Sequence, residues 1–179
     1  MIIGLTGYAQ SGKDSVANSL VQNYGYTRVA FADKIRELLI ETNPFIRDGF
    51  RVEGVVSAYG WDQAKILFPE IRHLLQSLGV GARKTFGDDF WIHQALKDLN
   101  SKDNIVISDV RFVNEAECIK QRNGQLWRVK RPGVAAINAH VSESDLDGYK
   151  VDKILHNGGT LEELESLVHT RMDSYPHDN

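Results

Sequence analysis

The sequence predicts a three-layer α/β fold, a five-stranded parallel sheet with helices on both faces. Three observations carry that prediction. Strand signals and helix signals alternate from one end of the chain to the other, which implies right-handed parallel crossovers and helices above and below the sheet. A glycine-rich turn, Gly7-Tyr8-Ala9-Gln10-Ser11-Gly12-Lys13-Asp14, stands between the first strand and the first helix. The length, 179 residues, suits one domain with a full core.

The elements follow in order. Ile2, Ile3 and Leu5 read as a short buried strand. After the glycine turn, Val16, Ala17, Leu20, Val21 and Tyr24 recur at helical spacing. A second strand is expected at 27–31 and a helix at 32–41. The stretch 42–60 shows no clear period and carries Pro44, Gly49, Gly54 and Gly60, so it reads as a mobile connection or insertion. A helical block is expected over 61–99. Within it Ile71, Leu74, Leu75 and Leu78 form one apolar face, and Trp91, Ile92, Ala95, Leu96 and Leu99 another. A β-branched strand at 104–108 precedes a helix at 112–122, closed by Gly124. A fourth strand is expected at 125–129, a mobile flap at 132–150, and a fifth strand at 151–155. The last helix starts at Thr160, which can form a capping box with Glu163. Its buried face continues through Leu161, Leu164, Leu167 or Val168, and Met172.

The strand, the glycine turn, Lys13 and the following helix together make a phosphate cradle. Glycines allow positive φ and present main-chain N–H groups to an anion. The helix start adds unpaired amides and its dipole. Lys13 adds a mobile charge that can follow the β and γ phosphates. The usual pattern ends in Ser or Thr, whose hydroxyl ligates magnesium; here that position is Asp14, followed by Ser15. Mg²⁺ prefers oxygen ligands, and a carboxylate near phosphates calls for a cation between them. Asp14 therefore reads as evidence for a metal.

Ligands of parallel α/β sheets bind at the carboxyl ends of the strands. The candidate residues lie there. Asp109 ends an apolar strand, where an acid orients magnesium or its waters; it could also cap the next helix. Arg111 has a fork suited to a phosphate, or could pair with Glu115 one turn on. Asp33 and Lys34 follow the second strand, where Asp33 could accept from a sugar or base, or cap a helix. Arg72 and Gln76 share the polar side of one helix and could reach an acceptor's phosphate and base, or simply face solvent. Trp91 could stack on a base, although its spacing suits core packing. Of Arg128, Lys130 and Arg131, the last two are well placed for a transferring phosphoryl group. His140, Ser142 and Glu143 lie in the flap. Asn157 and Gly158 follow the last strand, where an adenine ring lies in such folds, or where a plain turn is needed.

Composition excludes several classes. The net charge of −3 with no long basic run argues against stable nucleic-acid binding and suits a small-molecule enzyme. A single cysteine, Cys118, excludes an internal disulfide and fits a reducing compartment. It reads as a semi-buried helix residue. No apolar run approaches membrane-spanning length, and the first residues read as a core strand, not a signal peptide. The scattered histidines match no zinc pattern, and no serine-hydrolase elbow is present.

Six motifs then coincide in order. They are the glycine turn ending Ser-Gly-Lys-Asp, Phe31-Ala32-Asp33-Lys34, the Arg72/Gln76/Gly79 set, Asp109-Val110-Arg111-Phe112 through Glu115, His140-x-Ser142-Glu143, and Asp152-x-Ile154 to Asn157. The set resembles the phage deoxynucleoside monophosphate kinases over nearly the whole chain. That resemblance implies a P-loop kinase fold of the nucleoside monophosphate kinase type, with ATP and Mg²⁺ as partners and a dNDP product for DNA synthesis. Lys13, Arg111 and Arg131 would be catalytic. Gly7, Ser11, Gly12, Lys13, Asp14, Ser15, Asn157 and Gly158 would hold ATP. Asp33, Lys34, Arg72, Gln76, Trp91, Arg111 and Glu143 would hold the acceptor, and Asp14 and Asp109 the metal. The expected core is 1–41 with 100–179, the acceptor-binding insertion 42–99 and the lid 131–150. The expected location is the cytoplasm, that of a host if the chain is phage-encoded, and a homodimer is compatible with the sequence. Phosphomevalonate kinases share Ser-Gly-Lys-Asp and Asp-x-Arg, so a kinase of that acceptor or of dephospho-coenzyme A stays open, as does a nucleotide-dependent switch.

Overall fold

The computed structural model describes residues 1–100, 103–134 and 145–173. Among these, five strands and seven α-helices form: β1 Ile2–Thr6, α1 Lys13–Tyr24, β2 Thr27–Val29, α2 Phe31–Thr42, α3 Val52–Leu67, α4 Pro69–Phe86, α5 Phe90–Leu96, β3 Ile105–Ile107, α6 Val113–Gln121, β4 Gln125–Lys130, β5 Lys153–His156 and α7 Leu161–Asp173. A short 3-10 turn occupies Arg47–Gly49. The chain divides into two compact units, Met1–Ala30 with Asp98–Asn179, and Phe31–Lys97. Helix α2, expected with the core, therefore groups with the helical insertion.

The first unit carries the sheet, in the order β2-β3-β1-β4-β5, with every pair parallel. Strand alternation divides the residues between its faces. Ile3 and Leu5 of β1, with Val106, Trp127, Val129 and Leu155, pack on Val16, Ala17 and Leu20 of α1 and on Leu164, Val168 and Met172 of α7. The opposite face carries α6. There Gly4 lets the helix approach: a Cβ at Gly4 would lie 2.4 Å from Ile119 Cδ1 and 3.0 Å from Val110 Cγ2. The result is the predicted three-layer α/β sandwich with a five-stranded parallel sheet.

The strand order positions the site. From β1 the chain leaves toward β2, and from β4 it leaves toward β5, on opposite sides. Neighbouring strands whose connections diverge open a crevice at their carboxyl ends. In this chain the glycine turn follows β1 at that crevice, and Lys130 ends β4 beside it.

The second unit is helical. Leu39, Ile46, Val52, Val55, Ala64 and Ile71 form one buried cluster in it, with Leu74, Leu75 and Leu78 packed against them. The expected apolar face of α4 is thus the one it buries. The segment 42–60 differs from expectation, because α3 begins at Val52. Val52, Val55, Val56 and Tyr59 do carry helical spacing, masked by Gly54 and Gly60. Gly60 sits at φ 70 and ψ 164 and kinks α3. The expected block 61–99 is divided: Pro69 opens α4 in its first turn, where a missing N–H costs nothing, and Gly87 at φ 103 closes it. Strand β2 stops at Val29, two residues early, because Phe31 is buried as the first residue of α2. Strand β5 runs one to two residues later than expected.

Candidate active site

The glycine turn takes an unusual path. Gly7, Gln10 and Gly12 have φ of 136, 63 and 104. A Cβ at Gly7 would meet the Val129 carbonyl oxygen at 2.3 Å, and one at Gly12 would meet Asn157 Nδ2 at 2.5 Å. Only glycine satisfies both the backbone and the space at these two positions. The Ser11 N–H donates to the Tyr8 carbonyl at 3.2 Å, and Gly12 accepts the first helical bond of α1 from Val16 at 3.1 Å. Lys13 folds back over the turn, its ammonium donating to the Gly7 and Tyr8 carbonyls at 2.7 and 2.8 Å. The Ser11 hydroxyl is buried without a partner, as is that of Ser108 beside Asp109. Buried unpaired polar groups are rare in folded proteins, and they fit a site that acquires partners with its ligand.

A cavity of about 460 Å³ opens beside the turn. Its walls come from the carboxyl ends of three strands. Thr6 ends β1, and Gly7, Tyr8, Ser11 and Lys13 follow it; Val110 and Arg111 follow β3; Arg128 and Lys130 lie on β4 and Arg131 follows it; Leu146 and Asp147 complete the lining. Lys13, Arg111, Arg128, Lys130 and Arg131 make it strongly cationic, with Asp147 as its one acidic side chain among the described residues. Such a cavity has the size and charge for a polyphosphate ligand.

Arg111 is anchored through its main chain. Glu115, 5% exposed, accepts at Oε2 from the N–H groups of Arg111 and Phe112, at 2.7 and 3.0 Å. The glutamate thus caps α6, while Arg111, an exposed residue, lines the cavity. Asp109 is half-buried just after β3. Asp14 stands in the first turn of α1, its side chain 81% exposed and its Oδ1 3.4 Å from Arg28 Nη2. Ser15 follows it, half-buried. No group of three or more His, Cys, Asp or Glu side chains occurs among the described residues. Mg²⁺ does not require such a cage, since it keeps several waters and is held by one or two carboxylates plus substrate phosphates. Asp14 and Asp109, neither of which lines the cavity, are the carboxylates near the turn that such an ion would use.

The comparisons with known proteins bear on family and fold. The family model for deoxynucleotide monophosphate kinase matches residues 65–168. The putative deoxynucleotide monophosphate kinase of Acanthamoeba polyphaga mimivirus is 30% identical over 189 residues, covering 97% of each chain. This chain belongs to the deoxynucleotide monophosphate kinase family. The deoxynucleotide monophosphate kinase of Escherichia phage RB69 is 24% identical over 154 residues, which are 86% of this chain and 56% of that protein. Shikimate kinase from Aquifex aeolicus has the same fold, with a TM-score of 0.51 at 18% identity over 97% of this chain and 96% of that one. The fold is that of a P-loop kinase, and the family is one of phosphotransferases.

Within this deoxynucleotide monophosphate kinase family member, the expected site residues fall into three groups. Gly7, Ser11, Lys13, Arg111 and Arg131 line one cavity, with Gly12, Asp14, Ser15 and Asp109 next to them in sequence but not among its lining residues. In the second unit, Asp33 pairs with Arg36 at 2.7 Å and Lys34 with Glu37 at 2.7 Å, each one turn apart on α2. Arg72 and Gln76 lie one turn apart on the exposed side of α4. The third group departs from expectation or lies beyond description. Trp91, expected as an acceptor contact, is 5% exposed and donates its Nε1–H to the Gly79 carbonyl at 3.0 Å. Its ring is core, and its polar atom holds α5 to α4. Asn157, expected to contact ATP, is 7% exposed and donates from Nδ2 to the Ser11 carbonyl at 2.8 Å. It braces the glycine turn from the end of β5, while Gly158 occupies the turn after it. Glu143, with His140 and Ser142, lies outside the described residues.

Sequence reasoning gave no task to three residues. Arg128 donates to the carbonyls of Leu146, Asp147 and Tyr149. The Tyr8 hydroxyl donates to Asp147 Oδ2 at 2.9 Å. Among the described residues, no helix is long and apolar enough to cross a membrane.

Proposed function

We propose that this chain transfers the γ-phosphoryl group of ATP to the 5′-phosphate of a deoxynucleoside monophosphate, releasing ADP and the dNDP. The observation that carries this reading is the cavity where the glycine turn, Arg111, Lys130 and Arg131 converge at the ends of β1, β3 and β4. Lys13 exchanges the Gly7 and Tyr8 carbonyls for the β and γ phosphates of the donor. Gly7, Ser11, Gly12 and Ser15 belong to the cradle around them. Arg111, its backbone fixed by Glu115, holds the acceptor phosphate. Arg131, aided by Lys130, meets the charge spread over the transferring group. Asp109 and Asp14 would hold Mg²⁺, which neutralises phosphate charge when bound. An acceptor phosphate oxygen is already anionic, so no strong general base is needed, and alignment supplies most of the rate.

The unit Phe31–Lys97 is the proposed acceptor-binding insertion, with Asp33, Lys34, Arg72 and Gln76 as its contacts. The segment 131–150 is the proposed lid, with residues 145–149 as its anchored base. The viral sources of the relatives support a role in nucleotide supply within host cytoplasm. The test is ADP release with ATP and Mg²⁺ against deoxy- and ribonucleoside monophosphates, phosphomevalonate and dephospho-coenzyme A. Turnover with a deoxynucleoside monophosphate and not with the last two is expected. Tight ATP binding with no turnover on any acceptor favours a nucleotide switch instead.

A further inference from the structure

We infer that Arg128 is a positioning residue, which fixes residues 145–149 as a wall of the phosphate cavity on which phosphoryl transfer depends. These five residues form a strap, a turn with no strand or helix of its own; the Tyr149 N–H donates to the Leu146 carbonyl at 3.0 Å, and further donors for its carbonyls come from elsewhere. Arg128 supplies them. Nη1 donates to the Asp147 carbonyl at 3.1 Å, and Nη2 donates to those of Leu146 and Tyr149, the latter at 3.4 Å. A planar guanidinium can serve several carbonyls at once from one rigid fork; a lysine ammonium on a flexible stem cannot hold the same three in register. The base of the fork is equally fixed. Arg128 lies on β4, bonded between β1 and β5, opposite Thr6 and Ile154.

Three more ties hold the strap, from two other elements. The Tyr8 hydroxyl of the glycine turn donates to Asp147 Oδ2 at 2.9 Å. The Val113 N–H at the start of α6 donates to Asp145 Oδ2 at 3.0 Å. The Tyr149 hydroxyl donates to Glu117 Oε1 on α6 at 2.6 Å, and that bond, then burial, push the phenol up to about 12. Leu146 is 4% exposed beneath them. The strap thus joins the glycine turn, β4 and the helix that follows Arg111, and it presents Leu146 and Asp147 to the cavity. With its Nη donors committed to carbonyls, Arg128 acts on the reaction through this wall. A fixed wall keeps Lys13, Arg111 and Arg131 in register and limits water at the transferring group.

The catalytic half of this inference rests on the kinase reading above; the structural half does not, and two measurements separate them. Arg128→Lys, Arg128→Met and Tyr8→Phe are compared with the wild-type chain. The first measurement is hydrogen exchange without substrate. Both Arg128 variants should accelerate exchange at amides 145–149 about tenfold, the equivalent of losing one charge-assisted bond, with the α1 and α7 amides unchanged. Tyr8→Phe should give a smaller acceleration confined to the same amides. Unchanged strap exchange, or acceleration spread evenly over the sheet in both Arg128 variants, overturns the inference. The second measurement is ADP released per dNDP formed. Arg128→Lys should lower kcat roughly 10- to 100-fold, as small misalignments do, and raise this ratio severalfold above one, with KM for ATP changed less than about twofold. Simple loss of folded protein lowers both products together and leaves the ratio at one. A tenfold loss of ATP affinity with normal strap exchange makes Arg128 a phosphate ligand and overturns the inference. If the wild-type chain forms no dNDP, the kinase reading fails and takes the catalytic half with it, while exchange still decides whether Arg128 fixes the strap.

Discussion

Replacing Gly7 by alanine tests the geometry of the glycine turn without assuming any reaction. Two costs add at this position. The residue holds φ of 136, which L side chains rarely adopt; conformations of that kind cost about 1–3 kcal/mol. The new methyl would lie 2.3 Å from the Val129 carbonyl oxygen and 3.1 Å from Ser11 Oγ. Val129 is main chain in a strand bonded on both sides, so it cannot step aside cheaply, and overpacking adds about 1–3 kcal/mol. The expected loss is therefore roughly 2–6 kcal/mol, set against a total stability of about 5–15 kcal/mol. Gly4→Ala is the control. Its Cβ would meet Ile119 Cδ1 at 2.4 Å, but that atom is the free end of a side chain, and no positive φ adds to the cost. Urea unfolding should place Gly7→Ala well below Gly4→Ala in midpoint. A Gly7→Ala midpoint equal to or above that of Gly4→Ala would refute the reasoning.

Further expectations follow from single contacts. Lys13→Ala should keep its unfolding free energy within about 1 kcal/mol of wild type while losing kcat by roughly 100-fold or more, the scale for removing one transition-state donor; wild-type-like turnover would exclude Lys13 from the chemistry. Asn157→Ala strands the buried Ser11 carbonyl and should cost about 1–3 kcal/mol in urea unfolding. It should also weaken ATP binding by calorimetry, because the turn loses its brace. Tyr149 has a folded pKa of about 12, above the usual tyrosine value near 10, so its contribution to stability is full below pH 10 and fades between 10 and 12. The gap in unfolding midpoint between wild type and Tyr149→Phe should shrink over that interval. For Asp152, burial works to raise the pKa, but hydrogen bonds from Lys120 and the Leu126 N–H outweigh it and leave the carboxyl below its usual range. Its contribution is present above about pH 4 and lost as pH falls through the folded pKa, so Asp152→Asn should narrow its deficit in acid.

The features legible in the sequence are those whose partners lie within a few residues. The glycine turn reveals itself in eight consecutive positions. Thr160 and Glu163 are three apart, and the capping box forms as expected, with Thr160 N–H to Glu163 Oε2 at 2.8 Å and Glu163 N–H to Thr160 Oγ1 at 3.2 Å. The buried face of α4 follows from spacing alone. Elements fail where local signals compete. Gly54 and Gly60 lower the helix signal of α3, yet Val52 and Val55 are buried and keep the segment helical, a case of packing overriding propensity. Trp91 shows the reverse. Its spacing already pointed to the core, and the Gly79 carbonyl gives its indole N–H an internal partner.

What the sequence could not display is how the turn is held ready. Asn157 reaches Ser11 across 146 positions and Tyr8 reaches Asp147 across 139, separations at which no spacing rule applies. Yet these are the contacts that a phosphate cradle requires. An anion site stabilises charge only if its dipoles are already oriented when the ligand arrives. The Ser11 carbonyl is tied by Asn157, and the Gly7 and Tyr8 carbonyls by the ammonium of Lys13. The Asn157 tie stands apart from the cavity, whereas Lys13 lines it and is the tie that a phosphate would draw away. The Tyr8 side chain is fastened to the strap that Arg128 holds, so the turn keeps anchors independent of Lys13 when that ammonium moves. The division of labour follows: a mobile cation can follow a phosphate only because hydrogen bonds from sequence-distant residues, Asn157 after β5 and Asp147 in the strap, keep the turn in place after the cation has left it.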